Sequence, residues 1–411
     1  MKRFIVKHNV TLRSMLFCCA ISVCTFQVNA QGYDADSVFM NDAAAIDFFE
    51  NFEPDRLDNI PDWDEIIVYK DMGWIQLTLS MYHGKIEGEN QPCILFFHGG
   101  GWKTRAINQY KQYAYYFSEL GFTVASVKYR VFNDSSVVEP CDEIADANSA
   151  IRYVRHHATS LGIDPDRIVV GGMSSGGHLA SATAFIEECE EVNEFPGVSF
   201  KPNALILQNP LIDLSEDGWK EGHEYLGDTW ELLSPLHNIG QDCNVIPSII
   251  MSGSSDNITP IHGMRNWDSE YKSRGCPNEL YVFDGRGHGF GNYNEIKSGP
   301  GHRDFIYCLY MMQSFLSANG FCDQCTETAY PVVNTENTKW YPNPATDQLV
   351  IETERNMKSI MIYGLTGRAE EIIEVDSRYR KLNLTGFSRG VRLFRIQYTN
   401  GETESRIIYI I

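Results

Sequence analysis

Arg167-Ile168-Val169-Val170-Gly171-Gly172-Met173-Ser174-Ser175-Gly176-Gly177-His178-Leu179-Ala180 decides the fold of this chain. A short apolar run with no polar alternation reads as a strand buried on both faces, here over 167–171. Small, helix-compatible residues follow, and the spacing predicts a helix over 176–188. Between them, Gly172-Met173-Ser174-Ser175-Gly176 has the spacing G-x-S-x-G. A strand that turns straight into a helix brings the residues two places before and after the serine into collision. Glycine at both places relieves this and lets Ser174 take a strained backbone conformation, its hydroxyl standing clear at the top of the sheet. Alone, the pentapeptide would also suit a Gly/Ser-rich turn; its strand–turn–helix setting favours a nucleophile.

Reading outward, the same alternation recurs. Residues 66–69 and 75–79 read as an opening hairpin. Strands are expected over 93–97, 122–127, 204–207, 248–251 and 279–283, and helices over 108–120, 142–160 and 303–318. Strands alternating with helices imply a three-layer α/β fold with a mostly parallel sheet, whose ligands sit beyond the carboxyl ends of the strands. Residues 31–60 are acidic without strand periodicity and are expected to wrap the surface. After Cys325 the composition changes. Residues 326–338 read as a polar linker, and from 339 to 411 short strands punctuated by glycine predict a small β-sandwich.

The remaining chemistry falls where that fold would need it. His98-Gly99-Gly100-Gly101-Trp102 follows the strand at 93–97. Its glycines leave backbone N–H groups free to converge, so Gly100 and Gly101, with the N–H of Ser175, are candidate donors to an oxyanion. His98 is expected to brace this loop. Asp256 follows the strand at 248–251, and His288 lies in Gly287-His288-Gly289 after the strand at 279–283. A serine hydroxyl is a weak nucleophile until a base removes its proton, and an imidazole needs a carboxylate to fix its tautomer. Ser174, Asp256 and His288 supply those parts in a workable chain order. Asp284 is a rival acid, expected at its strand end; His178 is expected to pack or cap, and His262 and His302 to lie on the surface. No HExxH or close His/carboxylate cluster predicts a metal, and no cofactor is called for.

Composition bounds the partners. The 411 residues include 34 Lys and Arg against 54 Asp and Glu, a formal charge of −20, which argues against nucleic acid and a polybasic grip on lipid. Lys2, Arg3, Lys7 and Arg13, an apolar stretch over 15–26, and Val28-Asn29-Ala30 read as a signal peptide over 1–30, with an N-terminal anchor as the alternative. No later stretch is apolar for long enough to span a bilayer. The catalytic unit is then 31–325. Eight cysteines follow residue 30, an even number that permits disulfides in an exported protein, and Cys322-Asp323-Gln324-Cys325 reads as a local staple.

HGGGW at 98–102, Lys128-Tyr129-Arg130, Ile163-Asp164-Pro165-Asp166-Arg167 and GGMSSGGHLA at 171–180 resemble the hormone-sensitive-lipase-like and feruloyl/acetyl-xylan esterase branch of the α/β-hydrolases. The resemblance covers roughly residues 60–320. It implies a serine ester hydrolase, often acting on acetyl or feruloyl groups of polysaccharides. Ser175 stands where such enzymes often carry alanine; only its backbone N–H is needed. Tyr341-Pro342-Asn343-Pro344-Ala345-Thr346-Asp347, Ile362-Tyr363-Gly364-Leu365-Thr366-Gly367-Arg368 and Gly390-Val391 resemble the type A sorting domain of the Bacteroidota type IX secretion system. That resemblance implies a secreted or cell-surface protein and a partner in the secretion machinery; a carbohydrate-binding β-sandwich is the alternative. A lipase-like or general carboxylesterase, a peptidase on the same fold, and a non-catalytic binding protein are the other functional readings.

Overall fold

A computed structural model describes residues 33–34, 44–45, 48–49, 52, 54–86, 90–134, 138–191, 194–219, 226–240, 246–293, 300–322, 338–341, 345–363, 369–387, 390–399 and 403–410. The expected signal peptide over 1–30 lies outside these residues, as does the expected linker except Thr338.

Nine strands form the larger sheet: β1 (Tyr33–Asp34), β2 (Glu65–Asp71), β3 (Gln76–Tyr82), β4 (Gln91–Phe97), β5 (Thr123–Val127), β6 (Ile163–Ser174), β7 (Ala204–Pro210), β8 (Ser248–Gly253) and β9 (Asn278–Phe283). Their order is β1-β9-β8-β7-β6-β4-β5-β3-β2. All neighbours are parallel except β3, which is antiparallel to both β2 and β5. The central strands are apolar throughout because both faces are covered. Along β4, Cys93, Leu95 and Phe97 enter one core while Ile94 and Phe96 enter the other, the period of two that a pleated strand imposes.

Helix α1 (Lys111–Glu119) follows β4, α2 (Pro140–His156) follows β5, α3 (Ser175–Phe185) follows β6, α4 (Ile261–Ser273) follows β8, and α5 (Pro300–Ala318) closes the unit. The first core takes Ile144, Ala147, Leu179, Met264 and Trp267 from α2, α3 and α4; the second takes Ala114, Phe117, Phe305 and Leu309 from α1 and α5. Helix α2 begins at a capping box. Glu139 and Asp142 satisfy each other's backbone N–H groups, with Pro140 at the first helical position, where a missing N–H does no harm. Helix α4 was not foreseen, since its apolar residues are sparse among charged ones.

The segment before residue 60 departs from the surface role expected of it. β1 adds to the sheet edge beside β9, Ala45 and Leu57 are fully buried, and Phe48, Phe49 and Phe52 pack on the second core. The aromatic residues recur at helical spacing, which the acidic composition obscured.

Cys141 and Cys189 form a disulfide that ties the start of α2 to the segment after α3. Cys276 and Cys322 each take part in a disulfide, while Cys93 and Cys308 are free and buried. Cys325, the other half of the expected staple, lies outside the described residues.

The C-terminal strands are β10 (Lys339–Tyr341), β11 (Gln348–Tyr363), β12 (Ala369–Asn383), β13 (Gly390–Tyr398) and β14 (Thr403–Ile410), all antiparallel to their neighbours. The long strand β11 has an irregular register between Glu352 and Met357. On one edge of β11, the first half pairs with β10 and the second with β13. Leu349, Ile351, Ile360, Phe394 and Ile408 share one buried cluster.

Candidate active site

Ser174 ends β6 at φ +56° and ψ −123°, a left-handed conformation that a non-glycine residue adopts only when its surroundings impose it. The imposing contacts are visible at the flanking glycines. A Cβ on Gly172 would stand 2.3 Å from the Gly176 carbonyl oxygen, and one on Gly176 would stand 2.1 Å from that of Phe97. Gly177 is equally confined, 2.7 Å from Pro210 Cβ. Helix α3 starts immediately after the serine, so the N–H of Ser175 belongs to a first turn that has no intrahelical acceptor.

Strand order carries the other two residues toward Ser174. Ser174 pairs with Pro210 at the end of β7, and its carbonyl accepts the N–H of Leu211 at 3.1 Å. Asn209, one residue earlier, donates its side-chain amide to Asp256 Oδ2 at 2.7 Å, beyond the end of β8. Asp256 Oδ2 in turn accepts from His288 Nδ1 at 2.8 Å, in the loop after β9. The expected acid and base are therefore joined beyond the neighbouring strands β8 and β9, with β7 between β8 and the strand that ends at the serine. Thr259 donates its hydroxyl to Asp256 Oδ2 at 2.8 Å, and the N–H groups of Ile258 and Thr259 bond Oδ1 at 2.9 Å each. Burial alone would raise the Asp256 pKa. The hydrogen bonds from His288, Thr259 and Ile258 outweigh it and hold the carboxyl below its ordinary value. An ionised carboxylate only accepts, so Nδ1 is the donor in this bond and carries a proton.

The histidine loop is itself anchored. Arg286 makes two ion-pair contacts with Asp304 of α5, at 2.8 and 3.0 Å, and its carbonyl accepts the N–H of Ser255. Asp284, the rival acid, is exposed and bonds Ser254 at the strand end, as expected.

In the glycine loop, each trans peptide points its C=O and the following N–H in opposite directions. His98 Nδ1 donates to the Gly99 carbonyl at 2.8 Å, which turns the N–H of Gly100 the other way. The Gly100 carbonyl accepts from the N–H groups of Lys103 and Thr104 at 3.1 and 3.2 Å, which does the same for the N–H of Gly101. Gly100 and Gly101 hold φ of +129° and +60°. The N–H of Gly99 is taken by Gln109 Oε1 at 2.7 Å. A Cβ on Gly99 would lie 3.3 Å from that of Ser174, so this loop abuts the serine.

His98 is fully buried and stacks on Tyr129 at 4.4 Å, and the Tyr129 hydroxyl donates to the His98 carbonyl at 2.6 Å. Burial pushes the His98 pKa down to about 4, so it stays a neutral brace. His178 is buried, donates to the Leu233 carbonyl at 2.8 Å and is likewise pushed down to about 4, consistent with the packing role expected for it. His262 is exposed. Four supporting residues were not foreseen: Asn209, Thr259, Tyr129 and Gln109. The first two carry no local motif, Tyr129 was visible only as part of a family pattern, and Gln109 gave no signal.

Beside the loop, Trp102, Phe132, Pro140, His178, Leu214 and Leu233 line an apolar cavity of about 10 Å³. Trp219 packs on Trp102 with ring centroids 5.2 Å apart. Among the described residues, no group of three His, Cys, Asp or Glu side chains could hold a metal ion, and no helix is long and apolar enough to cross a membrane.

A nine-stranded, mostly parallel sheet, a serine at the strand–helix turn after β6, an imidazole on a carboxylate beyond the neighbouring strands β8 and β9, and a glycine loop against the serine are together the architecture of an α/β-hydrolase. Residues 79–267 match the BD-FAE family, and residues 339–410 match the secretion system C-terminal sorting domain. A solved esterase of Thermogutta terrifontis with propionate bound is 34% identical over 64% of this chain and 97% of its own, with a TM-score of 0.58; a butyrate-bound form of it is also known. An AB hydrolase superfamily protein of Schizosaccharomyces pombe is 36% identical over 24% of this chain, and a probable isoprenylcysteine alpha-carbonyl methylesterase of Arabidopsis thaliana 32% identical over 34%. The chain spans 28% of the length of each of these two curated relatives. This chain belongs to the α/β-hydrolase esterases.

Proposed function

We propose that this protein is an exported carboxylic-ester hydrolase that removes acetyl or feruloyl groups from polysaccharides through an acyl-enzyme on Ser174. His288 Nε2 takes the Ser174 proton as the hydroxyl oxygen attacks the ester carbonyl. The oxyanion of the tetrahedral intermediate is met by the N–H groups of Gly100, Gly101 and Ser175. As the C–O bond to the alcohol breaks, His288 returns its proton to that oxygen. Water then repeats the sequence on the acyl-enzyme, with His288 again as base and the carboxylic acid leaving. Asp256 stays ionised throughout, fixing the Nδ1 tautomer and stabilising the imidazolium.

The observations that carry this reading are the 2.8 Å bond between His288 Nδ1 and Asp256 Oδ2, and the left-handed conformation of Ser174 at the turn after β6. Export is supported by the sorting-domain match over 339–410, which also supports the type IX secretion machinery as the partner of that unit and the outside of the cell as its destination. A general carboxylesterase is the second reading, favoured by the propionate and butyrate held by the Thermogutta enzyme. Acetylated xylan, feruloylated oligosaccharides and tributyrin, offered side by side to the purified protein, separate the two. Faster release of acetate or ferulate than of butyrate is expected; the reverse order overturns the polysaccharide assignment.

A further inference from the structure

The glycine loop, the elbow and the histidine loop are three separate stretches of chain, yet one side chain touches all of them. Gln109 Oε1 accepts the N–H of Gly99 at 2.7 Å. Its Nε2 donates to Asn292 Oδ1 at 3.2 Å, four residues beyond His288. The same Nε2 lies 3.4 Å from the sulfur of Met173, the residue before Ser174.

The base from which Gln109 reaches is rigid. It sits in a short 3-10 helix, Ile107–Tyr110, that leads into α1. Ser126 of β5 donates its hydroxyl to the Ile107 carbonyl at 2.6 Å. Tyr110 is buried, stacks on Phe96 of β4 with ring centroids 4.3 Å apart, and donates to Gln208 of β7 at 2.8 Å. Gln109 is thus held on both sides by strands of the central sheet.

What it fixes follows from peptide geometry. His98 claims the Gly99 carbonyl, which orients the peptide between residues 99 and 100. Gln109 claims the Gly99 N–H, which orients the peptide before it. With both its polar backbone groups held, Gly99 has no freedom to rotate, although glycine has the widest conformational range of any residue. The N–H of Gly99 is then withdrawn from the reaction, and those of Gly100 and Gly101 are the ones presented.

We propose that Gln109 is a positioning residue that sets the oxyanion donors in register with the base, by holding the Gly99 N–H with one end of its amide and the His288 loop, through Asn292, with the other. This rests on the esterase reading above. It makes no contact with substrate in this role; it acts through Gly99 and Asn292.

The test uses the full protein and p-nitrophenyl acetate, with wild type and Ser174→Ala as references. Gln109→Met keeps the length and the contact with Met173 and removes both hydrogen bonds. Misplacing a reacting group by about 1 Å can cost on the order of 100-fold in rate, so kcat is expected to fall about 10- to 100-fold, with KM within about threefold of wild type. Asn292→Ala is expected to lower kcat about fivefold or more. Because both variants break the same bridge, the double variant should fall little further than Gln109→Met alone. Should Gln109→Met fail to fold, Asn292→Ala reads the bridge by itself. A kcat within twofold of wild type in either single variant, a loss confined to KM, or two losses that multiply in the double variant overturns the proposal. Failure of the esterase reading looks different: wild type would be inactive, or Ser174→Ala as active as wild type.

Discussion

Replacing Glu143 by glutamine should flatten the dependence of this protein's stability on pH. Glu143 lies on α2, fully buried, and neither of its carboxylate oxygens has a hydrogen-bond partner. Burial is the largest influence on it and raises its pKa; Asp146 adds to the rise, Arg130 opposes it, and Asp142 and Asp134 contribute upward, leaving the group at about 10. In the unfolded chain a glutamate titrates near its ordinary value of 4.5. Between these two values the folded state keeps a proton that the unfolded state has lost. Unfolding therefore releases a proton, and stability falls as pH rises through this window by about 1.4 kcal/mol per unit. From pH 6 to pH 8 the deficit amounts to about 2.7 kcal/mol. A glutamine of the same shape does not titrate and loses nothing over that range. Denaturant melts at pH 6, 7 and 8, followed by tryptophan fluorescence, measure the difference; six of the seven tryptophans precede residue 326, so the signal reports the hydrolase unit. The gap between Glu143→Gln and wild type should widen by about 1.4 kcal/mol per unit. Curves that stay parallel from pH 6 to pH 8 refute the reasoning, because they would mean that Glu143 is ionised in the folded state.

Two glycine substitutions should part company. Gly176→Ala places a methyl group 2.1 Å from the Phe97 carbonyl and should abolish folded, active enzyme, whereas Gly101→Ala meets nothing within 4 Å and bears only the strain of a φ of +60°, about 1–2 kcal/mol, so it should fold. Soluble expression and circular dichroism distinguish them. Asp256→Asn should leave the fold intact while lowering kcat about 10⁴-fold, since the amide no longer enforces the Nδ1 tautomer of His288; steady-state kinetics on p-nitrophenyl acetate measure it. Replacing Cys141 and Cys189 by serine opens a loop of 48 residues and should lower stability by about 2–4 kcal/mol, read as a shift in denaturant midpoint.

What the sequence disclosed and what it withheld have a common physical origin. The elbow was legible because its constraint is local: Gly172, Ser174 and Gly176 are squeezed by a single turn, and the turn dictates the residues. The strands of the sheet were legible because burial on both faces writes an unbroken apolar run. Asp256 and His288 could be proposed from their positions after β8 and β9, since strand order fixes which loops can meet. Asn209, Thr259 and Gln109 could not, because their roles come from contacts between segments far apart in the chain, and an Asn, Thr or Gln suits a surface loop equally well. Buried Glu143 was invisible for the same reason: a helix that reads as amphipathic gives no sign that a second element covers its polar side. The segment before residue 60 shows the opposite error, where acidic composition hid phenylalanines that the second core required.

The most direct test of the account is covalent labelling of the intact protein with diisopropyl fluorophosphate, read by mass spectrometry alongside hydrolysis of p-nitrophenyl acetate. One phosphoryl adduct per chain is expected, mapped to the peptide carrying Ser174, with activity falling in proportion to labelling and no adduct on Ser174→Ala. Labelling at another residue, or a Ser174→Ala protein that hydrolyses the ester as fast as wild type, contradicts it.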